Sequence, residues 1–403
     1  MMKAAVCLVL TVVGGALAKP QLPESCLWTG DRSVDCEFDI YSKNYNPVLA
    51  AVEISRIPQI ANLKFQINVA SKTQTMVTDD MLVTIGQSFN STSVTSLTFV
   101  LGSLKKITGE GIAAFSALNP IAKNTLTFLD FDLQINPVDD NNAATIGANL
   151  AKFSNLESVT INVKNDYLTG KGLASIVSGL EGYKKLKSLV IIGASSEFSS
   201  SAASESIGET LANLKSLRSL HFECSNCSLT DSYYASILER LTQLPSLNKL
   251  SVVLEGNKLE GSAFVSTVSS VAAYRKLAML SVDFSEYFPG ASGNNTINLT
   301  SVKTAVDTLN KANYQGQLSL NFENSIPLNS AEAYASAFAC LKNRNILQGA
   351  VKLTTTSIPK FRYNEVTEKS VSVDPSCSDG LKLETDVTGG PENNHFHKCV
   401  ICA

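Results

Sequence analysis

The sequence predicts an α/β solenoid in which short parallel strands alternate with helices. One observation is the segment Leu247–Leu259, LNKLSVVLEGNKL, which has leucine or valine at regular positions and an asparagine near its end. A second observation is that this pattern recurs. Positions equivalent to Leu250 are occupied by Leu97, Leu129, Val159, Leu189, Leu220 and Leu280, and more loosely by Leu63, Leu318 and Val351. From Leu129 to Leu280 the spacings are 30, 30, 31, 30 and 30 residues, a regularity typical of repeat proteins.

Each unit is expected to contain one strand and one helix. Leu250, Val252 and Leu254 alternate with polar or smaller residues and therefore share one face of a strand. We expect such strands to be centred near residues 98, 130, 160, 190, 221, 251 and 281. Between the strands, apolar residues follow a helical period, as at Tyr234, Ile237, Leu238, Leu241 and Leu244. Stacked units would form a parallel sheet on the concave side and place the helices on the convex side.

The region from about Leu63 to Lys342 resembles the leucine-rich repeat family in its long, helix-bearing, ribonuclease-inhibitor-like form. The pattern L-x-x-L-x-L-x-L-x-x-N-x-L carries the resemblance. The family's polar ladder position after the strand is occupied here by Asn136, Asp166, Cys227 and Asn257. The resemblance implies that these side chains bond to backbone groups of neighbouring turns, within a horseshoe-shaped arc. Departures from the ladder occur at Leu104, Ser196, Tyr287 and Ser325.

The chain divides into four segments: 1–18 as a signal peptide, 19–60 as an N-terminal cap, 61–345 as repeats, and 346–403 as a C-terminal cap with a cysteine-bearing tail. The signal peptide is indicated by Lys3, an apolar stretch from Ala4 to Val13, and the small-x-small site Ala16–Ala18. The alternative is a buried N-terminal helix. No later stretch has 18 uninterrupted apolar residues, so we expect no membrane span and a secreted, extracellular protein.

The composition argues against a nucleic-acid partner. Charged residues make up 17% of the chain, and the formal net charge is −3. A protein that binds nucleic acid usually carries a basic surface, which this balance does not supply.

Cysteine and sequon positions fit an exported protein. Removing the signal leaves eight cysteines, an even number. We expect Cys26 to pair with Cys36 in the first cap, and Cys399 or Cys402 to pair with Cys377 or Cys340 in the second. Candidate glycosylation sites are Asn90, Asn226, Asn294 and Asn298. Cys224 and Cys227 form a C-x-x-C at inward repeat positions, which favours a short disulfide or two packed thiols over redox catalysis.

The tail contains a cluster that resembles metal ligands, His395-x-His397-x-Cys399-x-x-Cys402. Two imidazoles and two thiolates would suit tetrahedral zinc. Because secreted cysteines usually oxidise, a disulfide-linked tail is the favoured interpretation, with no metal and no cofactor. The polar, Gly- and Pro-bearing stretch from Ser376 to Asn394 is expected to be a flexible approach to this tail.

Positions one, three and five residues after each Leu250-like anchor should form the concave face. Acidic residues predominate there, set against a single Lys164: Asp130, Asp132, Glu223, Glu255, Asp283 and Glu323. Apolar residues lie among them, chiefly Val190, Ile192 and Val253, and Lys187, Arg218 and Lys249 form a basic strip at the N-terminal edge of the strands. The simpler alternative is a solvated sheet face with scattered acids.

These residues predict a function in recognition and not in catalysis. His221 with Glu223 and Asp283 suggests an acid–base pair, but no nucleophile motif or paired-carboxylate motif accompanies it. We expect a non-enzymatic extracellular protein that binds a protein or peptide, in particular a basic one, on the concave face. The expected contact residues are Asp130, Asp132, Val190, Ile192, His221, Glu223, Val253, Glu255 and Asp283. The alternative is a structural or surface-coat glycoprotein.

Overall fold

The computed structural model describes residues 19–38, 46–68, 77–89, 94–102, 106–118, 120–164, 167–198, 200–273, 277–286, 295–327, 330–347, 351–353, 366–373, 377, 380–388 and 394–402. Its strands are β1 (Cys26–Trp28), β2 (Ser33–Phe38), β3 (Asn62–Ile67), β4 (Ser96–Leu101), β5 (Phe128–Asp132), β6 (Ser158–Asn162), β7 (Ser188–Ile192), β8 (Ser219–Glu223), β9 (Lys249–Val253), β10 (Met279–Asp283), β11 (Gln317–Asn321), β12 (Val351–Lys352), β13 (Val366–Ser372), β14 (Gly380–Thr388) and β15 (Asn394–Ile401).

The helices lie between the strands along the chain. They are α1 (Pro47–Ile54), α2 (Asp79–Ser88), α3 (Gly109–Phe115), α4 (Pro120–Thr125), α5 (Asp140–Leu150), α6 (Gly170–Ser178), α7 (Ser201–Asn213), α8 (Asp231–Leu241), α9 (Gly261–Ala273), α10 (Leu299–Ala312) and α11 (Ala331–Ala339). A short 3-10 helix spans Arg344–Ile346. None of the helices in the described ranges has both the length and the apolar character of a membrane span.

The fifteen strands in the described ranges form one open sheet in sequence order, so the chain is an α/β solenoid arc. Pairing is parallel from β2 to β12, and antiparallel for β1 with β2 and for β12 through β15. The anchors align directly across the central strands, as Leu220 does with Leu250 and Leu250 with Leu280. The predicted fold class and strand centres are therefore confirmed.

The core lies between the sheet and the helices. Leu250, Val252 and Leu254 are at most 3% exposed, as the alternating pattern predicts. Phenylalanines at equivalent inward positions stack between repeats, with ring centroids 6.4 Å apart for Phe284 and Phe322. Each repeat thus buries a large part of its apolar surface against its neighbours, which is why the architecture needs several units to be stable.

Buried asparagines connect successive turns. Asn257 is fully buried, and its Nδ2 donates to the carbonyl oxygens of Cys224 and Leu254 at 2.8 and 2.9 Å. Its Oδ1 accepts from the backbone N–H groups of Cys227 and Leu229, both at 3.0 Å. Asn136 similarly donates to the carbonyl oxygens of two turns. The side-chain amide therefore replaces the hydrogen bonds that water would otherwise make with this buried backbone.

The ladder continues through the longer unit after β10, contrary to the interruption expected at Tyr287. Asn295 takes the ladder role there, donating to the Leu254 carbonyl oxygen at 2.7 Å and accepting from Leu259 N at 3.0 Å. Because Asn295 follows Asn257 by 38 residues and not by 30, equal spacing along the chain points to the wrong residue. Asp166, Leu104 and Tyr287 themselves lie outside the described residues.

A second set of contacts joins the helix N-termini on the convex side. Asp79 and Asp140 each accept hydrogen bonds from the backbone N and the hydroxyl of a threonine in the next repeat, Thr108 and Thr169 respectively. Both threonines also cap their own helices, through Gly111 N and Lys171 N. Helix capping and repeat stacking therefore depend on the same side chains.

The two ends depart from the repeat. At the N-terminus, Cys26 is bonded to Cys36 and joins β1 to β2, and the parallel stack already begins at β2, within the segment assigned to the cap. At the C-terminus, Leu318 aligns with Leu347 and not with Val351, so Val351 is not an anchor. A 3-10 helix, Arg344–Ile346, follows α11 there before the chain enters β12.

The expectation of a flexible stretch from Ser376 to Asn394 is wrong for its described part. Residues 380–388 form β14, which pairs with both β13 and β15. Leu381 and Leu383 are buried, so this polar stretch contains an alternating strand pattern that its glycines and proline obscured.

Candidate functional site

The candidate site is the solvent-facing surface of the sheet between β5 and β11. Two rows of side chains run across the strands there, all of them half-buried. The mid-strand row contains Asp130, Thr160, Val190, His221, Ser251, Ser281 and Ser319. The strand-end row contains Asp132, Asn162, Ile192, Glu223, Val253, Asp283 and Asn321. Eight of the nine expected contact residues lie in these two rows, and Glu255 lies two residues beyond the second.

An acid and an amide form a hydrogen-bonded unit at the β5–β6 end of the strand-end row. Asn162 Nδ2 donates to Asp132 Oδ1 at 3.0 Å, and Asn162 Oδ1 accepts from Lys164 N at 3.2 Å. Burial raises the pKa of Asp132, although hydrogen bonds from Gln134 N and Asn162 oppose this. The carboxylate is therefore held in place before any partner arrives.

The same arrangement recurs at the β10–β11 end. Asn321 Nδ2 donates to Asp283 Oδ2 at 3.0 Å, and Asn321 Oδ1 accepts from Glu323 N at 3.1 Å. Asp283 Oδ1 also accepts from Ser285 N at 2.8 Å. Two equivalent, positioned carboxylates thus lie at opposite ends of one row.

The middle of the row is electrically balanced, which sequence reasoning missed. Lys164 Nζ lies 3.2 Å from Glu223 Oε1, and the pair bridges from the end of β6 to the end of β8 across β7. The ion pair is partly solvent-exposed, so its contribution to stability is small, but it offsets the charge of Glu223. Lys64 is a second base on this face, aligned with Thr98 and exposed to solvent. The face therefore carries fewer uncompensated acids at its centre than the residue count suggests.

Asp130 is the single acid of the mid-strand row, and its pKa is shifted. Burial raises the pKa of its carboxyl to about 6, Asp132 acts in the same direction, and Lys64 opposes them. The side chain is mainly ionised at neutral pH and becomes neutral under mildly acidic conditions.

His221 is held within the sheet face. Its Nδ1 lies 2.9 Å from Ser251 Oγ. Burial lowers the pKa of the imidazole, and the Glu223 carboxylate opposes that shift. Asp283 is engaged with Asn321 and Ser285, two strands away. At neutral pH the histidine is therefore an uncharged member of the row.

One further acid was not predicted. Glu286 is 4% exposed, and its Oε1 accepts from Asn295 N at 2.6 Å. Burial raises the pKa of Glu286 to about 7, Glu255 adds to the shift, and hydrogen bonds from Asn295 N and Gly256 N oppose it. Glu286 thus joins the two described ends of the longer unit, and only its place in that unit offered a signal in the sequence.

The two sequons that the structure describes and the basic strip lie on accessible surface. Asn226 is exposed in the turn after β8, and Asn298 is exposed at the start of α10, where it accepts from Ser301 N at 2.8 Å. Asn90 and Asn294 lie outside the described residues. The side chains of Lys187, Arg218 and Lys249 are exposed, and Lys187 pairs with Glu157 at 2.6 Å.

The eight cysteines of the tail, caps and repeats form four disulfides: Cys26–Cys36, Cys224–Cys227, Cys340–Cys402 and Cys377–Cys399. Cys399 and Cys402 are thus bonded, and a disulfide sulfur does not supply the thiolate that the zinc alternative requires. Across the described ranges, no three His, Cys, Asp or Glu side chains group as metal ligands. Cys224 and Cys227 are fully buried, which argues against exchange with external thiols.

No protein-family model matches this chain. No curated protein matches it. Among solved structures it is similar to "Leiomodin-1 Actin-Binding Site 2 (ABS2)", with 16% identity and a TM-score of 0.29, over 51% of this chain and 89% of that one. A likeness at this TM-score supports no inference about function.

Proposed function

We propose that this chain is a secreted leucine-rich repeat protein of the long-repeat type that binds a basic protein or peptide on its concave face, without catalysis. The repeat period and the asparagine ladder support the family. The four disulfides support an oxidising, extracellular location.

The observation that carries the binding proposal is the strand-end row. It presents two carboxylates, Asp132 and Asp283, that are already fixed by hydrogen bonds. Preorganised charges lose little conformational entropy on binding and attract an oppositely charged partner over a distance. Ile192 and Val253, half-buried between them, supply apolar surface for the contact itself.

The test measures association of the full chain with an eight-residue lysine peptide at low and high salt. We expect the Asp132→Asn and Asp283→Asn double variant to slow association by about threefold and to weaken its salt dependence. The matched control is Glu205→Gln with Asp307→Asn, which removes two charges from exposed convex positions. Equal effects of the two double variants would show that only net charge matters and would reject the concave face.

A structural or surface-coat role is the second candidate. Among the described strands, β15 is an eight-residue edge strand that pairs only with β14. Such edges offer backbone groups to another chain. Concentration-dependent self-association, together with no binding of the lysine peptide, would favour this candidate.

A further inference from the structure

The strand-end row has an ordered layout that a general acidic surface would lack. Its two acid–amide units have the same hydrogen-bond pattern: the Asp accepts from an Asn at the same register position on the next strand, and that Asn accepts from a backbone N two residues further on. The units are separated by three other members of the row, Ile192, Glu223 and Val253.

The three central members provide no net charge. Ile192 and Val253 are apolar, and Glu223 is offset by Lys164 at 3.2 Å. In the mid-strand row, the neutral His221 and Ser251 lie on β8 and β9, the strands that also carry Glu223 and Val253. From one end to the other, the strand-end row is therefore acidic, then neutral and partly apolar, then acidic again.

The distance between the two acidic ends follows from the sheet. Asp132 ends β5 and Asp283 ends β10, five strand intervals apart in one register row. At about 4.8 Å per interval the two positions are about 24 Å apart on a flat sheet, and curvature toward the concave side shortens this.

We propose that the concave face takes a peptide segment with two basic groups about 20–24 Å apart and an uncharged, apolar centre, lying across the strands from β5 to β10. The inference rests on the proposed function, and it specifies the partner. Each basic group is placed on one acid–amide unit, and the apolar centre covers Ile192 and Val253. A basic residue at the centre would gain no net attraction there, because Lys164 already pairs with Glu223.

The test uses peptides whose basic ends are held apart by a stiff, uncharged spacer. Two lysines at each end flank a run of prolines, which rises about 3.1 Å per residue as polyproline II. Spacers of about 2, 7 and 14 prolines set the lysine pairs about 6, 22 and 43 Å apart. Net charge is the same in all three peptides, so a difference in affinity reports spacing alone.

We expect the middle peptide to bind the full chain at least about tenfold more tightly than the other two, because only it engages both units at once. Asp132→Asn alone and Asp283→Asn alone should each abolish this preference and leave the three peptides with similar, weaker affinities. Glu205→Gln on the convex side should leave the preference unchanged.

Two outcomes would overturn the inference, and they have different consequences for the proposed function. Equal affinities for the three peptides, still reduced by Asp132→Asn or Asp283→Asn, would reject the spacing while leaving the concave face as the binding surface. Binding that neither substitution reduces would reject both.

Discussion

Single residues account for much of how neighbouring repeats are joined. The ladder role of Asn257 was predictable because the repeat pattern specifies both the residue type and its position, and its bonds to Cys227 N and Leu229 N agree with that expectation. Glu286 was not predictable, since its carboxylate accepts hydrogen bonds from Asn295 N, nine residues away, and from Gly256 N of the preceding repeat. A pattern of local spacing contains no information about such contacts between turns.

The buried Glu286 should make stability pH-dependent. Burial raises the pKa of its carboxyl to about 7 from the ordinary value of 4.5. In the window between those values the folded chain binds more protons than the unfolded chain, so this group lowers stability as pH rises. The variant Glu286→Gln keeps an acceptor for Asn295 N but cannot ionise. Between pH 5 and pH 7, wild type should therefore lose more stability than the variant.

Urea unfolding at several pH values checks this prediction. The quantity compared is the free energy of unfolding of wild type minus that of Glu286→Gln, which cancels other titrating groups such as Asp130. A difference that does not change over this window, or that favours wild type as pH rises, would contradict the assigned pKa shift.

At the scale of elements, strands were easier to predict than the contacts between helices. The strand centres followed from alternation and a period near 30 residues, as in β8 and β9. The Asp140–Thr169 contact was not foreseen, because it joins two helix N-termini from different repeats. The contact also explains why residue 172 is a glycine. A Cβ there would overlap the Asp140 carboxylate and lie 2.6 Å from Leu168 Cδ2.

Replacing Gly172 by alanine should destabilise the protein by about 1–3 kcal/mol, although alanine is the better helix former. The matched control is Gly182→Ala, where a Cβ meets nothing within 4 Å and stability should change by no more than about 0.5 kcal/mol. Chemical unfolding of both variants measures the difference.

Adding Asp140→Ala to Gly172→Ala removes the carboxylate that the new methyl group would overlap. The double variant should therefore lose less stability than the sum of the two single changes. Strict additivity would indicate that the helix N-termini are not in the described contact.

At the scale of the whole molecule, the sequence predicted the arc, the outward rows and the acidic character of the concave face. It did not predict how charge is distributed along that face. Lys164 and Glu223 are far apart in the chain and meet only because the register aligns β6, β7 and β8. Lys64 belongs to a unit whose anchor matches the pattern only loosely. Composition gives the number of charges, but the register determines which of them offset one another.

Carboxyl footprinting tests the role of the concave face most directly. Exposed carboxylates are amidated with glycine ethyl ester, with and without the lysine peptide that has the seven-proline spacer, and the labelled sites are identified by mass spectrometry. We expect labelling of Asp132 and Asp283 to slow by about threefold or more when the peptide is bound, while Glu205 and Asp307 on the convex side are unaffected. Protection confined to Glu205 and Asp307, or no protection of Asp132 and Asp283 at saturating peptide, would contradict the concave face as the binding surface.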